Sequence, residues 1–236
     1  MGATVANLLQ DDKNARAVCG VDVTPCSGGK IPVYTTFDCV KEKVDVILDF
    51  SSPAALKAEL DWAVKKGVPV VLAATGYTEN DLKFIDSCAK KVAIFKTANF
   101  SIGVNLRVKL VREAAQTLGE KFDIEIIEKH HNQKIDAPSG TALMLAESAN
   151  AAFDGKKNYL NGRCGKVGKR GNEIGIHAVR GGTIVGEHDV IFAGDDEVIT
   201  LSHSASSKRV FAAGAIKAAK WLAGKPAGKY DMTDII

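Results

Sequence analysis

Short β-branched runs alternate with helical patterns over the first hundred residues, the arrangement that βαβ units and a parallel sheet produce. The expected strands are "RAVCGVDV" (16–23), "VDVILDF" (44–50), "PVVLAAT" (69–75) and "VAIFKTA" (92–98). Between them, residues 51–67 place Leu56, Leu60, Ala63 and Val64 at helical spacing, with Ser-Pro at the start and Gly67 as a stop. "TENDLKFIDSCAKK" (78–91) reads as a second crossover helix capped by Thr78. From about residue 120 the pattern changes. "FDIEIIEKHH" (122–131) reads as a strand, and Ser-Gly-Thr opens a helix over 141–153. Strands over 173–180, 183–193 and 197–205 follow with short Gly-Gly and Gly-Asp-Asp links, so antiparallel neighbours are expected. Phe211, Ala215, Ala218, Ala219 and Leu222 line one face of a last helix whose place the pattern leaves open. The predicted fold class is α/β: a parallel, Rossmann-like domain followed by an α+β domain with a mixed sheet.

Composition narrows the function classes. The chain has 236 residues, 46% of them hydrophobic, and its net charge of +3 is spread along the sequence. That is far from the basic stripe of a nucleic-acid binder, so no nucleic-acid partner is expected, while anionic small molecules remain. Cys19, Cys26, Cys39, Cys88 and Cys164 form an odd set without a C-x-x-C pair, which suits a reducing cytoplasm. No apolar run reaches the roughly 18 residues that spanning needs, and no basic-then-apolar start is present, so no membrane partner is expected.

The densest chemistry lies in "EKHHNQKIDAPSGTA" (128–142). Two adjacent histidines lack a third ligand at metal spacing, so no metal is expected. On a strand, His130 and His131 would point to opposite sides and do different jobs. Lys134 and the Ser139-Gly140-Thr141 helix start together suit a carboxylate or phosphate, although a solvated turn with a cap has the same spelling. Near the N-terminus, Gly2 precedes a helix pattern and Asp22 ends a strand about 20 residues on, where dinucleotide-binding folds place a ribose-binding carboxylate. A surface aspartate at a strand end reads equally well. "AATGY" (73–77) and "TANFSIGVN" (97–105) follow parallel strands, where ligands of open α/β sheets bind, as ordinary turns also do. "GRCGKVGKR" (162–170) is expected to be a solvated, mobile loop, and His177, His188 and His203 to be structural.

The 128–142 string closely resembles the signature of the bacterial 4-hydroxy-tetrahydrodipicolinate reductase (dihydrodipicolinate reductase) family of lysine and diaminopimelate biosynthesis. "ANFSIGVN", "RGGTIVGEHDVIFAG" and "FAAGAIKAAKWL" are similar to the family in the same order, so the likeness covers nearly the whole chain. The resemblance implies a dinucleotide-binding domain over residues 1–101 and 210–236, and a substrate-binding, tetramer-forming domain over 102–209. It implies NADH or NADPH as cofactor, contacted by Met1, Gly2, Asp22, Ala73, Thr75, Thr97, Ala98, Asn99 and Phe100. His130 matches the family's catalytic acid and Lys134 its proton-donating, substrate-binding lysine, with His131, Gly140 and Thr141 at the dicarboxylate. The implied partners are a small dicarboxylate and further copies of the chain in a homotetramer. Two departures stand out. The family opens with a strand and a G-x-x-G-x-M-G loop, whereas this chain starts at the final Met-Gly, so a domain without its first strand is expected, and a natural protein roughly 15 residues longer. Lys208 stands where the family often has arginine. A non-catalytic nicotinamide-binding homologue is the alternative that the start leaves open; another two-domain dehydrogenase is disfavoured by the signature.

Overall fold

Strand and helix lengths follow from where apolar periodicity finds a partner to pack on. The computed structural model describes residues 1–24 and 30–236, so Cys26 lies outside the described residues. Helix α1 (Gly2–Leu8) opens the chain, and β1 (Gly20–Val21) pairs in parallel with β2 (Val33–Tyr34) as a separate two-stranded ladder. The strand expected over 16–23 thus shrinks to two residues, because only Gly20 and Val21 find a ladder partner. Then come β3 (Ile47–Asp49), α2 (Leu56–Lys66), β4 (Val70–Leu72), α3 (Glu79–Ala89) and β5 (Ala93–Lys96). Gly67 ends α2 at φ +68°, where a residue without Cβ is favoured. Thr78 caps α3 reciprocally with Asp81.

The second half holds α4 (Ile102–Leu118), β6 (Asp123–His130), α5 (Gly140–Asn150), β7 (Asn158–Asn161), β8 (Glu173–Arg180), β9 (Glu187–Ala193) and β10 (Val198–Ser204). The chain ends with α6 (Arg209–Leu222) and β11 (Gly228–Tyr230). Two compact units result: residues 1–100 with 209–236, and residues 101–208.

In the first unit, β11, β5, β4 and β3 form a parallel sheet in that order. Val70, Leu72 and Ile94 pack under α2 and α3, while Val71, Ala93 and Phe95 pack under α6, so helices cover both faces. α6 comes so close that a Cβ on Gly214 would lie 1.8 Å from the Phe100 carbonyl oxygen. Among the described residues β1 is bonded to β2 alone and β3 to β4 alone.

In the second unit the sheet order is β10-β9-β6-β8-β7, with β8 parallel and β9 antiparallel to β6. The Gly-Gly link between β8 and β9 therefore does not make a hairpin: β6 lies between them, since its Ile124 and Ile126 side chains complete the core from the middle. Alternate residues Ile124, Ile126, Ile174, Ile176, Val190 and Phe192 pack against α4 and α5. On the other face, Glu125 accepts from Arg163, Arg170 and His177 at 2.8 to 3.1 Å. Gly175 makes room for it, because a Cβ there would lie 1.9 Å from Glu125 Oε2. Arg163 and Arg170, expected in a solvated loop, are instead tied to the sheet by the Glu125 carboxylate and by Glu173 and Asp123 respectively. No described helix is long and apolar enough to cross a membrane.

Candidate active site

The period of two that buries Ile124 and Ile126 also sends Glu128 and His130 toward the same side of β6, at its carboxyl end. Glu128 is fully buried and accepts four hydrogen bonds: Arg180 Nη1 at 2.7 Å and Nη2 at 2.8 Å, the Ser139 backbone N–H at 3.0 Å and His130 Nδ1 at 2.6 Å. One carboxylate thus binds the ends of β6 and β8 to the start of α5. Burial pushes the Glu128 carboxyl up, and its Arg180, His130 and Ser139 bonds more than reverse this, holding it below the ordinary range. It is a carboxylate.

With Nδ1 donating to Glu128, the reactive position of His130 is Nε2. Burial lowers the His130 pKa, the Glu128 bond and charge push it back up, and the net direction is down. Glu128 thus stabilises the charged form of a ring that burial would otherwise keep neutral. Strand β6 stops at His130, so His131 opens the turn, where its carbonyl accepts from Lys134 N–H at 3.1 Å. Lys134 Nζ lies 2.7 and 2.9 Å from the Asp136 carboxylate oxygens, and the Asp136 carbonyl accepts from Arg180 Nη2 at 2.6 Å. Ser139 caps α5 by accepting from Ala142 N–H at 3.2 Å. Gly140 and Thr141 form the first positions of the helix, and nothing lies within 4 Å of where a Gly140 Cβ would be. The structure gathers His130, Lys134 and the α5 start around Glu128 and Arg180. The last two were missed in the sequence, though Glu128 shares a strand face with His130 by the period of two.

The nucleotide-side residues follow the ends of parallel strands. Asp22 follows β1, is exposed, and accepts from Thr24 N–H at 2.8 Å. Ala73 and Thr75 follow β4, with Thr75 exposed before Gly76 at φ +85°. Thr97, Ala98 and Asn99 follow β5, where Thr97 Oγ1 donates to the Asn99 carbonyl at 3.2 Å. Met1 and Gly2, both exposed, begin α1. Phe100 ends this stretch with its ring buried against Phe95 and Phe50, centroids 6.0 and 6.2 Å away, so the side chain belongs to the apolar core and only the backbone is left to the strand end. The remaining set fits a dinucleotide, with an exposed carboxylate and mostly small, exposed or half-buried residues at the carboxyl ends of parallel strands. Among the described residues no group of three or more His, Cys, Asp or Glu is placed to hold a metal ion.

Residues 1–100 match the family model described as dihydrodipicolinate reductase, N-terminus, and residues 103–236 match the corresponding C-terminus model. The chain belongs to the dihydrodipicolinate reductase family. It is 51% identical to the 4-hydroxy-tetrahydrodipicolinate reductase of Caldanaerobacter subterraneus subsp. tengcongensis, over all of this chain and 94% of that protein. The corresponding reductase of Clostridium tetani is 45% identical over 98% of this chain and 91% of its own. Among solved structures, the dipicolinate-bound dihydrodipicolinate reductase of Paenisporosarcina sp. TG-14 is similar with a TM-score of 0.81 and 25% identity, covering 100% of this chain and 95% of that one. The N-terminal model spans the first stretch of the parallel-sheet unit, and the C-terminal model spans the mixed-sheet unit together with α6 and β11, which belong to the first unit. The architecture is the α/β class expected from the sequence.

Proposed function

We propose that the protein reduces 4-hydroxy-tetrahydrodipicolinate to tetrahydrodipicolinate at the expense of NADH or NADPH, in lysine and diaminopimelate biosynthesis. The observation that carries this reading is the Glu128–His130 pair, 2.6 Å apart, at the strand end beside Lys134 and the start of α5. A family relative was solved with dipicolinate, a planar dicarboxylate, which is the kind of ligand this end of the second unit suits. The bound nicotinamide supplies the hydride. In its imidazolium form His130 carries its second proton at Nε2 and delivers it from there, while Glu128 keeps the ring oriented and its charge compensated. Lys134 exchanges its Asp136 partner for a substrate carboxylate. His131 and the N–H groups of Gly140 and Thr141 receive carboxylate oxygens at the positive end of α5, as helix starts do.

In this reading, Asp22, Thr75, Ala98 and Asn99 hold the nucleotide with Met1, Gly2, Ala73 and Thr97, and Phe100 contributes only its backbone. The unit of residues 1–100 and 209–236 serves the cofactor, and residues 101–208 serve substrate and assembly. The sheet face bearing Glu125, Arg163, Arg170, His177, Lys129 and Asp189 is the surface for a homotetramer, and the site of action is the cytoplasm. The deciding experiment supplies the aldol product of pyruvate and aspartate semialdehyde and follows nicotinamide absorbance. Substrate-dependent oxidation of NADH or NADPH supports the reading, and its absence in a protein that is folded and binds nucleotide rejects it.

A further inference from the structure

His188 lies on β9 directly opposite Glu128 in the antiparallel register, and its side chain is almost fully buried. Its Nε2 is 2.9 Å from Ser139 Oγ, and its ring meets that of His130 edge-on, with centroids 5.1 Å apart and planes at 81°. From α4, Arg107 Nη1 donates to the His188 carbonyl at 2.6 Å. Arg107 is itself buried, with Nε and Nη2 unpaired, and His188 Nδ1 is unpaired as well. A buried guanidinium without a carboxylate bonded to it is a costly choice for a core position. The positive charge sits next to a ring that must then remain neutral: burial, followed by the Arg107 charge, pushes His188 down to about 3.

A neutral ring has one N–H, and a bare buried acceptor is tolerated better than an unpaired buried donor. The proton therefore belongs on Nε2, donating to Ser139 Oγ, which has a second lone pair for the Ala142 N–H it already accepts. Ser139 is then held from two sides, by Glu128 at its N–H and by His188 at its hydroxyl.

We propose that His188, held through Arg107, is a positioning residue for the reductase chemistry: it fixes Ser139, and with it the carboxylate-receiving start of α5, and packs its ring against that of His130. The inference rests on the function proposed above. It assigns no proton transfer to His188.

The test compares full-length His188→Leu, His188→Gln and Arg107→Met, with His130→Gln as control. The readouts are dipicolinate affinity in the presence of NADH, KM and kcat for the substrate, and melting temperature. Loss of one oriented hydrogen bond predicts that His188→Leu weakens dipicolinate and raises KM about tenfold, with a smaller change in kcat. His188→Gln, whose amide reaches the position of Nε2, should return both close to wild type. Arg107→Met should weaken dipicolinate in the same direction, and its effect should not add to that of His188→Leu, because both act through one path. A His188→Leu enzyme with unchanged KM and dipicolinate affinity overturns the proposal. So does a His188→Gln enzyme as impaired as His188→Leu, which would mark a packing role, or additive losses in the double variant. If His188→Leu does not fold, the Arg107→Met and His188→Gln cycle decides by the same criterion. Full turnover in His130→Gln would reject the function itself, whereas an inactive His130→Gln beside normal His188 variants rejects the positioning role alone.

Discussion

Glu128 and His130 stand two residues apart on one face of β6, with Oε2 2.6 Å from Nδ1, so the strand's own period joins carboxylate to imidazole. Replacing Glu128 with Gln removes the charge that raises the His130 pKa against burial and leaves only a weaker, neutral acceptor for the bond. The imidazolium then loses its proton at lower pH. An enzyme that needs protonated His130 should lose its alkaline limb earlier, so the descending arm of kcat/KM against pH should move to lower pH in Glu128→Gln. An unmoved arm would separate Glu128 from the acid.

His130→Ala or Lys134→Ala should lower turnover by about 10² to 10⁴-fold, the range for losing a positioned acid or proton carrier. Nucleotide affinity should stay nearly intact, because both residues belong to the mixed-sheet unit. Steady-state rates and NADH titration check the two halves separately.

Asp22 is exposed at the end of β1, where its carboxylate can accept from both ribose hydroxyls but repels a 2′-phosphate. NADH should therefore be used at least as well as NADPH. Kinetics with both nucleotides under one set of conditions measure this, and a strong NADPH preference would require a basic phosphate site elsewhere.

Glu59 is buried on α2 with both carboxyl oxygens unpaired, and burial, followed by the Asp49 charge, pushes it up to about 9. The folded carboxyl stays protonated where the unfolded one has ionised. Folding therefore binds a proton between about pH 4.5 and 9, and stability falls as pH rises through that window, by at most about 1.4 kcal/mol per unit. Glu59→Gln should raise the melting temperature at pH 8 and change it little at pH 5. A variant equally shifted at both values would sever the effect from ionisation.

Gly214→Ala should destabilise the first unit by about 1–3 kcal/mol, because the added methyl meets the Phe100 carbonyl, which cannot swing away as a side chain would. Denaturant midpoints compare the two proteins.

The helices α2 and α3 were legible because their stop and cap signals, Gly67 and Thr78, are local. β6 was legible by alternation. The neighbours of β6 were not, since a Gly-Gly link sets the direction of the next strand but not whether a third strand comes between. Helix α4 and the short β7 and β11 were passed over: α4 carries Arg107 on its buried side, which breaks the apolar stripe, and β11 is defined by three residues that pair with β5. Within the site, the motif string pointed to His130, Lys134 and Ser139. Arg180 and His188 reach them from 50 and 58 residues beyond His130, and no spacing along the chain encodes that proximity.

The approach of Gly214 to the Phe100 carbonyl joins the last residue before the chain leaves the first unit to the helix with which it returns. Residues 1–100 are consequently half of a mould. Expressed without 209–236, they would present Val71, Ala93, Phe95 and Phe100 to water with no α6 to cover them, and β5 would keep a bare edge where β11 now lies. A separately supplied peptide spanning 209–236 should rescue such a fragment, which makes this protein suited to splitting into two pieces that regain a nucleotide fold only on meeting.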